Sequence, residues 1–390
     1  MTTQPVGIHD LSFATTHYAL DHAVLAERLG VDVDKYYLGI GQEKMSVAAA
    51  DEDIVTIAAA AAGPILARHG TDNIRTVLLA TESGVDQSKA AGLYLHSLIG
   101  LPNTARVVEI KQACYGGTAG LQFAAGLIAR DPSQRVLVIA TDIAKYELDS
   151  PGEPTQGAAA VAMLVSANPA ILELDPQSGL YSADIMDFWR PNYSSAAMVD
   201  GKTSVNAYQK AAQEAWTDYR RKGGRELTEF AAFCYHQPFT KMAYKAHRHL
   251  LESQGHTADA AEIDAAIKDT TLYNRTVGNS YTASLYLGLM SLLDHAGDLT
   301  DRPLAFISYG SGSVAEFFSG TVQPGYAEHL RTDANRQAIS TREVLDYERY
   351  RELHEAHSPT DGMYHPTLEE TSRPYRLSAL SGHKRIYESR

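Results

Sequence analysis

The sequence predicts an α/β fold made of two similar halves, and three observations support this prediction. Short apolar runs rich in Val, Leu and Ile alternate with helical patterns along the chain, which favours a largely parallel sheet packed between helices. A weak internal repeat relates the first part of this alternation to the second. Of the 390 residues, 44% are hydrophobic and 21% are charged, a composition typical of a folded protein with a substantial core.

Six short runs are predicted to be buried strands because they are apolar and rich in β-branched residues. They span residues 76–80, 106–110, 136–141, 158–166, 230–235 and 304–309. Longer patterns of small and apolar residues predict helices, and these lie at 54–67, 115–129, 239–251 and 281–293.

Two further segments are polar but helix-prone. Residues 200–227 are predicted to form a helix anchored by Trp216 and Tyr219. The charged tail beyond Tyr326 has a mostly helical pattern and the poorest core signal, so we expect it to wrap the surface.

The internal repeat overlays residues that could carry chemistry. A shift of 166 residues places Cys114 on Ser280, and a shift of 154 places Glu82 on His236. The identities are few, so a chance match remains the rival explanation. A true duplication would put Glu82, Cys114, His236 and Asn279 at equivalent strand ends and helix starts, where α/β sheets bind their ligands.

Charge and cysteine content exclude several classes of protein. The chain has 34 Lys and Arg against 47 Asp and Glu, a net charge of −13, which argues against nucleic acid as a partner. Its two cysteines, Cys114 and Cys234, are too few for a disulfide scaffold or a Cys-based zinc cluster. Residues 1–10 lack the features of a signal peptide, and the apolar run 54–67 is too short to span a membrane. We therefore expect a cytoplasmic protein with no membrane partner.

Cys114 is the first candidate catalytic residue because it lies between a predicted strand and a predicted helix. The positive end of a helix lowers a thiol pKa and favours the thiolate. Gly116 and Gly117 would let the backbone approach a substrate carbonyl and stabilise an oxyanion. The alternative is a small buried hydrophobe, the commonest fate of a free cysteine. Cys234 lies within a predicted strand and is expected to pack in the core.

His236 and Glu82 are candidates because each follows a predicted strand directly. A histidine at a strand end, braced here by Pro238, is placed for acid–base or hydrogen-bonding work. A carboxylate beside an apolar strand acquires a raised pKa and serves as a general base. The alternatives are a satisfied loop histidine and an acidic residue near a helix N-cap.

Lys241 and Lys245 lie at i and i+4 of one predicted helix. Clustered cations on an acidic protein indicate an anionic ligand such as a nucleotide phosphate; the alternative is a solvated helix face. The run Gly310-Ser-Gly-Ser-Val-Ala resembles a shortened dinucleotide-binding loop but lacks the acidic residue that binds ribose, so that interpretation is rejected. The sequence contains no motif for a metal or a bound cofactor.

Eight motifs, met in order along the chain, together resemble the hydroxymethylglutaryl-CoA synthase family of the bacterial mevalonate-pathway type. They are Gly-Ile-Gly-Gln-Glu-Lys-Met (39–45), Ala-Thr-Glu-Ser (80–83), Gln-Ala-Cys-Tyr-Gly-Gly-Thr (112–118), Gly-Glu-Pro-Thr-Gln-Gly-Ala (152–158), Asp-Phe-Trp-Arg-Pro (187–191), Tyr-His-Gln-Pro-Phe-Thr-Lys-Met (235–242), Val-Gly-Asn-Ser-Tyr-Thr (277–282) and Ser-Tyr-Gly-Ser-Gly-Ser (308–313). The match covers nearly the whole chain.

The resemblance implies a thiolase-like fold, with two duplicated α/β halves in five layers, α-β-α-β-α, and a homodimer. The halves would be residues 1–168, carrying Cys114, and residues 169–390, carrying His236 and the surface-wrapping tail. It also implies that Cys114 is the nucleophile, Glu82 the general base and His236 the catalytic histidine. The substrate-binding and CoA-binding residues that it implies are Asp32, Asp142, Tyr146, Thr155, Phe188, Ser204, Lys241, Lys245, Asn279 and Ser311.

The activity implied is the condensation of acetyl-CoA with acetoacetyl-CoA, through an acetyl group on Cys114, without metal or redox cofactor. One alternative keeps this chemistry but uses a β-ketoacyl chain on a carrier protein, as in polyketide assembly; the Thr-Lys-Met that follows Phe239 favours free CoA. Another alternative is a non-catalytic acyl-CoA-binding protein of the same fold.

Overall fold

The computed structural model describes residues 4–257 and 259–390. Within these ranges the strands are β1 Val6–Thr15, β2 Tyr18–Asp21, β3 Lys44–Val47, β4 Ile74–Ala80, β5 Arg106–Ile110, β6 Arg135–Ile143, β7 Ala158–Ala167, β8 Leu172–Ser182, β9 Phe188–Trp189, β10 Met198–Val199, β11 Ala232–Tyr235, β12 Pro303–Gly310, β13 Val314–Val322, β14 Glu343–Val344, β15 His365–Pro366, β16 Tyr375–Ser381 and β17 Lys384–Ser389. The α-helices are α1 His22–Leu29, α2 Ile54–His69, α3 Ala91–Leu98, α4 Gly116–Arg130, α5 Gly201–Arg221, α6 Thr240–Ser253, α7 Ala260–Ile267, α8 Leu272–Val277, α9 Ser284–His295, α10 Thr332–Ser340 and α11 Tyr347–Glu355.

Nine strands form the central sheet, in the order β11–β12–β13–β8–β1–β7–β6–β4–β5. Its two sections repeat one topology: β4 is parallel to β6 as β11 is to β12, and in each section the next strand runs antiparallel. The sections are joined where Gly7 and Ile8 of β1 pair with Glu173 and Leu172 of β8. The repeat detected in the sequence therefore has a counterpart in the topology.

The prediction of a largely parallel sheet is wrong, because the sheet is mixed. Both sections contain antiparallel pairs formed by their first and last strands, such as β1 with β7 and β8 with β13. β1 and β8 had no clear strand signal because polar residues such as His9, Asp10 and Asp175 interrupt them. The six predicted strands are confirmed, as are the predicted helices 54–67, 115–129, 239–251 and 281–293, with ends displaced by a few residues.

The layers are helix, sheet, helix, sheet and helix. α4 and α9 lie between the two sections of the sheet, where Leu121 and Leu287 pack with Val138 of β6 and Phe306 of β12 in one core. α2 and α3 cover the outer face of the first section. α5 and α6 cover the outer face of the second, and the predicted anchor Trp216 is buried there. Burial of both faces explains why the strands are so apolar.

The tail was predicted to be mostly helical, which is only partly correct. It forms α10 and α11, but it ends in a three-stranded antiparallel sheet, β15–β16–β17, beside α2 and α3. The charged Arg376 obscured the strand pattern: it is buried, and its guanidinium donates to Asp51 and Glu388. A buried ion pair of this kind leaves no apolar signal in the sequence.

Candidate active site

Residues from both halves meet at one cavity of about 620 Å³. Glu82 lies two residues after β4 and His236 directly follows β11, so the repeated topology brings the ends of equivalent strands to the same place. Cys114 lies just before α4, in the loop that follows β5. The predicted residues that line this cavity are Cys114, Tyr146, Thr155, Phe188, Ser204, His236, Asn279 and Ser311.

Glu82 reaches Cys114 from a neighbouring cavity of about 920 Å³, and Phe188 lines both spaces. The thiol of Cys114 donates a hydrogen bond to Oε1 of Glu82 over 3.3 Å. The three predicted catalytic groups thus lie close together. The thiol of Cys114 contacts the carboxyl of Glu82, and the imidazole of His236 lines the same cavity as the thiol.

The thiol of Cys114 is held in its protonated form. Burial raises its pKa well above the ordinary value, and the charge of Glu82 raises it further. The prediction that the helix N-terminus would lower this pKa is wrong, because a helix dipole contributes only ~0.3–1 kcal/mol and burial beside a carboxylate outweighs it. Cys114 therefore needs a proton acceptor before it can act as a nucleophile.

Glu82 has the acid–base property that such an acceptor requires. Burial raises its pKa to about 8, the charge of Asp142 adds to the rise, and Arg190 opposes it. A carboxyl with a pKa near the pH of the cell can both take and return a proton. This agrees with the sequence prediction of a raised pKa at this strand end.

Asp142 was predicted to be one of the substrate-binding and CoA-binding residues, but the structure places it beneath the site. Its side chain is fully buried. Oδ1 accepts hydrogen bonds from the Thr81 hydroxyl and the Glu82 N–H, both at 2.9 Å. Oδ2 accepts from the hydroxyl of Thr282 at 2.5 Å and from its N–H at 3.1 Å. Asp142 therefore ties the end of β4, and with it Glu82, to the segment that precedes α9.

His236 presents a neutral ring to the cavity. Only 2% of the residue is exposed, and burial lowers its pKa to about 3. Its backbone is fixed on both sides, because its N–H donates to the Ile307 carbonyl and its carbonyl accepts from the Tyr208 hydroxyl. Nδ1 has no hydrogen-bond partner among the described residues, unlike the satisfied loop histidine of the alternative interpretation.

The loop that carries Cys114 is held by the opposite half. Ala113 has a positive φ of 43°, a conformation that few non-glycine residues adopt. The side chain of Gln112 donates to the Ser311 carbonyl at 3.2 Å, and the Tyr115 hydroxyl donates to Glu316 of β13 at 2.7 Å. Sequence reasoning missed Tyr115 and Glu316, since nothing local relates residues 201 positions apart.

The two glycines after Tyr115 also serve packing, and their predicted role toward an oxyanion stays a prediction. The N–H of Gly116 already donates to the Ala113 carbonyl. A Cβ on Gly117 would lie 2.8 Å from the Thr282 carbonyl oxygen and 3.0 Å from the Tyr286 ring. Glycine is needed here because α4 lies so close to the helical segment of the other half.

A third residue that the sequence analysis did not single out is Asp187, which is fully buried beside the cavity. Oδ2 accepts from the Tyr309 hydroxyl at 2.7 Å, and Oδ1 accepts from the Gly312 N–H at 2.9 Å. It thereby holds the loop that carries Ser311. The signal was present, since 187–191 and 308–313 are two of the eight motifs.

Lys241 and Lys245 lie in a separate groove of about 700 Å³ on α6, together with Arg248. The same helix also contributes Met242 to the wall of the 620 Å³ cavity. The cations are therefore close to the cavity and placed for an anionic group outside it. Asp32, in contrast, is exposed and lines neither space; its Oδ1 accepts from the Asp34 N–H within its own loop, so the structure does not bring it to the site.

This fold, with strand ends of two similar halves converging on one cavity, is that of the thiolase-like enzymes, which transfer and condense acyl groups. The chain belongs to the hydroxymethylglutaryl-CoA synthase family, and is accordingly an acyltransferase. The family's N-terminal model matches residues 2–170, and its C-terminal model matches residues 172–259 and 250–384.

Similar proteins cover almost the whole chain. Hydroxymethylglutaryl-CoA synthase of Enterococcus faecalis is 42% identical over 385 residues, covering 98% of this chain and 100% of that protein. The polyketide biosynthesis 3-hydroxy-3-methylglutaryl-ACP synthase PksG of Bacillus subtilis is 33% identical, covering 87% of this chain and 85% of that protein. A solved structure of an HMG-CoA synthase complexed with CoA superposes with a TM-score of 0.93 at 39% identity, covering 99% of this chain and 100% of that one.

Proposed function

We propose that this enzyme condenses acetyl-CoA with acetoacetyl-CoA and water to give 3-hydroxy-3-methylglutaryl-CoA and free CoA, in the mevalonate pathway of isoprenoid biosynthesis. The contact between the Cys114 thiol and Glu82 Oε1 carries the proposal. Around the space where an acyl group would lie, the thiol would act as the nucleophile and Glu82, with a pKa of about 8, as the base. The neutral imidazole of His236 would act there as a hydrogen-bond donor. Membership of the family and the full-length similarity to the Enterococcus faecalis synthase support it.

The first step would be acetylation of Cys114. Glu82 accepts the thiol proton as Sγ attacks the carbonyl of acetyl-CoA. The bond between the carbonyl carbon and the CoA sulfur breaks, and the departing thiolate takes up the proton, leaving an acetyl thioester on Cys114. The hydrogen bond already present between the two side chains sets the direction of this transfer.

The second step would be condensation with acetoacetyl-CoA. Glu82 removes a proton from the acetyl methyl group, and the resulting carbanion equivalent attacks the ketone carbon. His236 donates a hydrogen bond from its neutral ring to the ketone oxygen, which becomes the hydroxyl of the product. Water then cleaves the bond to Cys114, releasing a carboxylate and the free thiol.

Lys241 and Lys245 support free CoA as the carrier of both acyl groups. Their groove lies on α6, next to the Met242 wall of the catalytic cavity, and their ammonium groups would pair with CoA phosphates. No step of the proposed reaction requires a metal or a redox cofactor. Asn279, Ser204, Thr155 and Ser311 would contact the acyl or pantetheine chain, because they line the cavity.

The experiment that tests this function is a product assay with two acceptors side by side. Acetyl-CoA is mixed with the enzyme and either acetoacetyl-CoA or an acetoacetyl group on a carrier protein. We expect 3-hydroxy-3-methylglutaryl-CoA from the first pair at a far greater kcat/KM. Faster reaction with the carrier protein would assign the chain to the polyketide type, to which PksG belongs by name.

We also propose a homodimer formed along β5. This strand is an edge of the central sheet within the described chain, and an unpaired edge is a template for a further strand. Val108 of β5 is 41% exposed and Phe123 of α4 is 59% exposed, so a second copy would cover apolar surface as well.

The division into halves 1–168 and 169–390 is likewise proposed, with its boundary between β7 and β8, where the repeated topology begins again. We propose a cytoplasmic location. In residues 4–257 and 259–390, no helix has the length and apolar character to cross a bilayer.

A further inference from the structure

One wall of the catalytic cavity is the segment between β6 and β7, which contributes Tyr146, Gly152 and Thr155. The Tyr146 ring packs against Gly152, where an added Cβ would lie 2.5 Å from the ring. The edge of that ring faces Phe188, with centroids 6.1 Å apart. The shape of this wall therefore depends on where the backbone of Tyr146 is held.

Both backbone polar groups of Tyr146 are held by side chains. Its N–H donates to Oε1 of Gln156 at 2.7 Å. Its carbonyl accepts from Nε2 of His354 at 2.9 Å. His354 belongs to α11 in the C-terminal tail, 208 positions further along the chain.

A second residue of α11 completes the network. The Tyr350 hydroxyl donates to Oε1 of Glu153 and accepts from Nε2 of Gln156, both at 2.9 Å. The same Gln156 therefore links Tyr350 to the backbone of Tyr146. Lys145 adds a bond in the opposite direction, since its ammonium donates to the His354 carbonyl.

The network is buried, so its bonds are costly to lose. Tyr350 is 1% exposed and Glu153 is fully buried. Removing one partner would leave a buried donor or acceptor unsatisfied. Burial, reinforced by the charge of Lys145, lowers the pKa of His354 to about 4, so at neutral pH its ring is uncharged and its Nε2–H is the donor to Tyr146.

We propose that Tyr350 and His354 are positioning residues that hold the Tyr146–Thr155 wall in the shape that the thioester substrates require. The tail then belongs to the catalytic apparatus through α11, whereas the sequence suggested only a surface wrap. This proposal rests on the proposed function, because it is tested by the kinetics of the condensation reaction. The neighbouring exposed face of α11 has no such role: Arg351 and Glu355 pair with each other while both are about half exposed.

The test compares Tyr350→Phe and His354→Ala with His354→Gln and the exposed control Arg351→Ala. For each variant we would measure kcat and KM for acetoacetyl-CoA, the fraction of Cys114 that acetyl-CoA labels, and Tm. We expect KM to rise about tenfold in Tyr350→Phe and His354→Ala, the effect of one lost buried hydrogen bond. His354→Gln should restore KM to within about threefold, because its amide N–H can still donate to Tyr146. Arg351→Ala should match wild type.

Labelling separates this role from simple stabilisation. A merely structural role would lower Tm and the labelled fraction, while the KM of the folded enzyme stayed unchanged. An unchanged KM in folded Tyr350→Phe, or equal KM values for His354→Ala and His354→Gln, would overturn the proposal. Should Tyr350→Phe fail to fold, the two His354 variants decide alone. Absence of product in the wild type would instead refute the proposed function, so the two failures are distinguishable.

Discussion

The thiol of Cys114 donates a hydrogen bond to Glu82 Oε1 across 3.3 Å. Burial raises the pKa of both groups, Glu82 raises that of the thiol further, and the hydrogen bond from the thiol lowers that of Glu82. The resting pair is a neutral thiol beside a carboxyl whose pKa is about 8. When the carboxyl is ionised, one proton can move from the thiol to it, and the single negative charge of the pair then passes to the sulfur. The same carboxyl can then serve acetylation first and deprotonation of the acetyl methyl group afterwards.

Glu82→Ala should separate these two steps. Without the carboxylate, the charge that raises the Cys114 pKa is gone, and water entering the vacated space can accept the thiol proton, so the acetyl-enzyme should still form. Condensation should fall by about 10²–10⁴, the usual contribution of a general base. Acetyl labelling and product formation would be measured on the same sample. Condensation near the wild-type rate would show that the base is another residue.

The rate of condensation should rise with pH along a titration curve whose midpoint is near 8. The base acts in its ionised form, and burial holds the pKa of Glu82 at about 8, so raising the pH through this value increases the active fraction. Arg190 lowers that pKa, and Arg190→Met should therefore move the midpoint upward. The measurement is kcat/KM against pH for both proteins. A profile that is flat across this range, or a midpoint that moves downward in Arg190→Met, would contradict the assignment.

Asp142→Asn should destabilise the fold and not only the reaction. One carboxylate oxygen accepts a hydrogen bond from the Glu82 N–H, and the other accepts from the N–H and the hydroxyl of Thr282. In Asn an NH₂ group replaces one of these oxygens, and it would face hydrogen-bond donors that it cannot accept from. The expected loss is about 2–4 kcal/mol in the free energy of unfolding, read from denaturant titration. Asp333→Asn, on the exposed surface, is the control. Equal stability of both variants would remove Asp142 from its bridging role.

Phe123→Glu should convert the proposed dimer to monomers. A charge would enter the apolar surface that Val108 and Phe123 expose beside the free edge of β5. The matched control is Leu368→Glu, since Leu368 is similarly exposed, at 63%, but lies in the tail. Light scattering after size exclusion gives the mass of each. A dimer that persists in Phe123→Glu and dissociates in the control would place the interface in the tail.

The parts of the fold that sequence reasoning predicted are those with strong local signals. β4, β6 and β12 are buried on both faces, so their apolar runs stand out. Glu82 and His236 follow such runs, which is why the two halves could be aligned on them. β1 was missed because a buried Asp10, paired with Arg331, interrupts its apolar pattern.

The parts that were missed depend on contacts between distant segments. The high pKa of the Cys114 thiol comes from burial and then from Glu82, which is 32 positions away. The bridging position of Asp142 depends on Thr282, and the wall around Tyr146 depends on His354. Tertiary burial decides all three, and spacing along the chain contains no measure of it.

The most direct test of the central claim is mass spectrometry of the enzyme after mixing with acetyl-CoA. We predict one acetyl group per chain, located on Cys114 by peptide mapping. Cys234→Ala should label like wild type, because Cys234 is buried in the core away from the cavity, and Cys114→Ser should not label at that level. A wild-type enzyme without the acetyl group, or equal labelling of Cys114→Ser, would contradict covalent catalysis at Cys114.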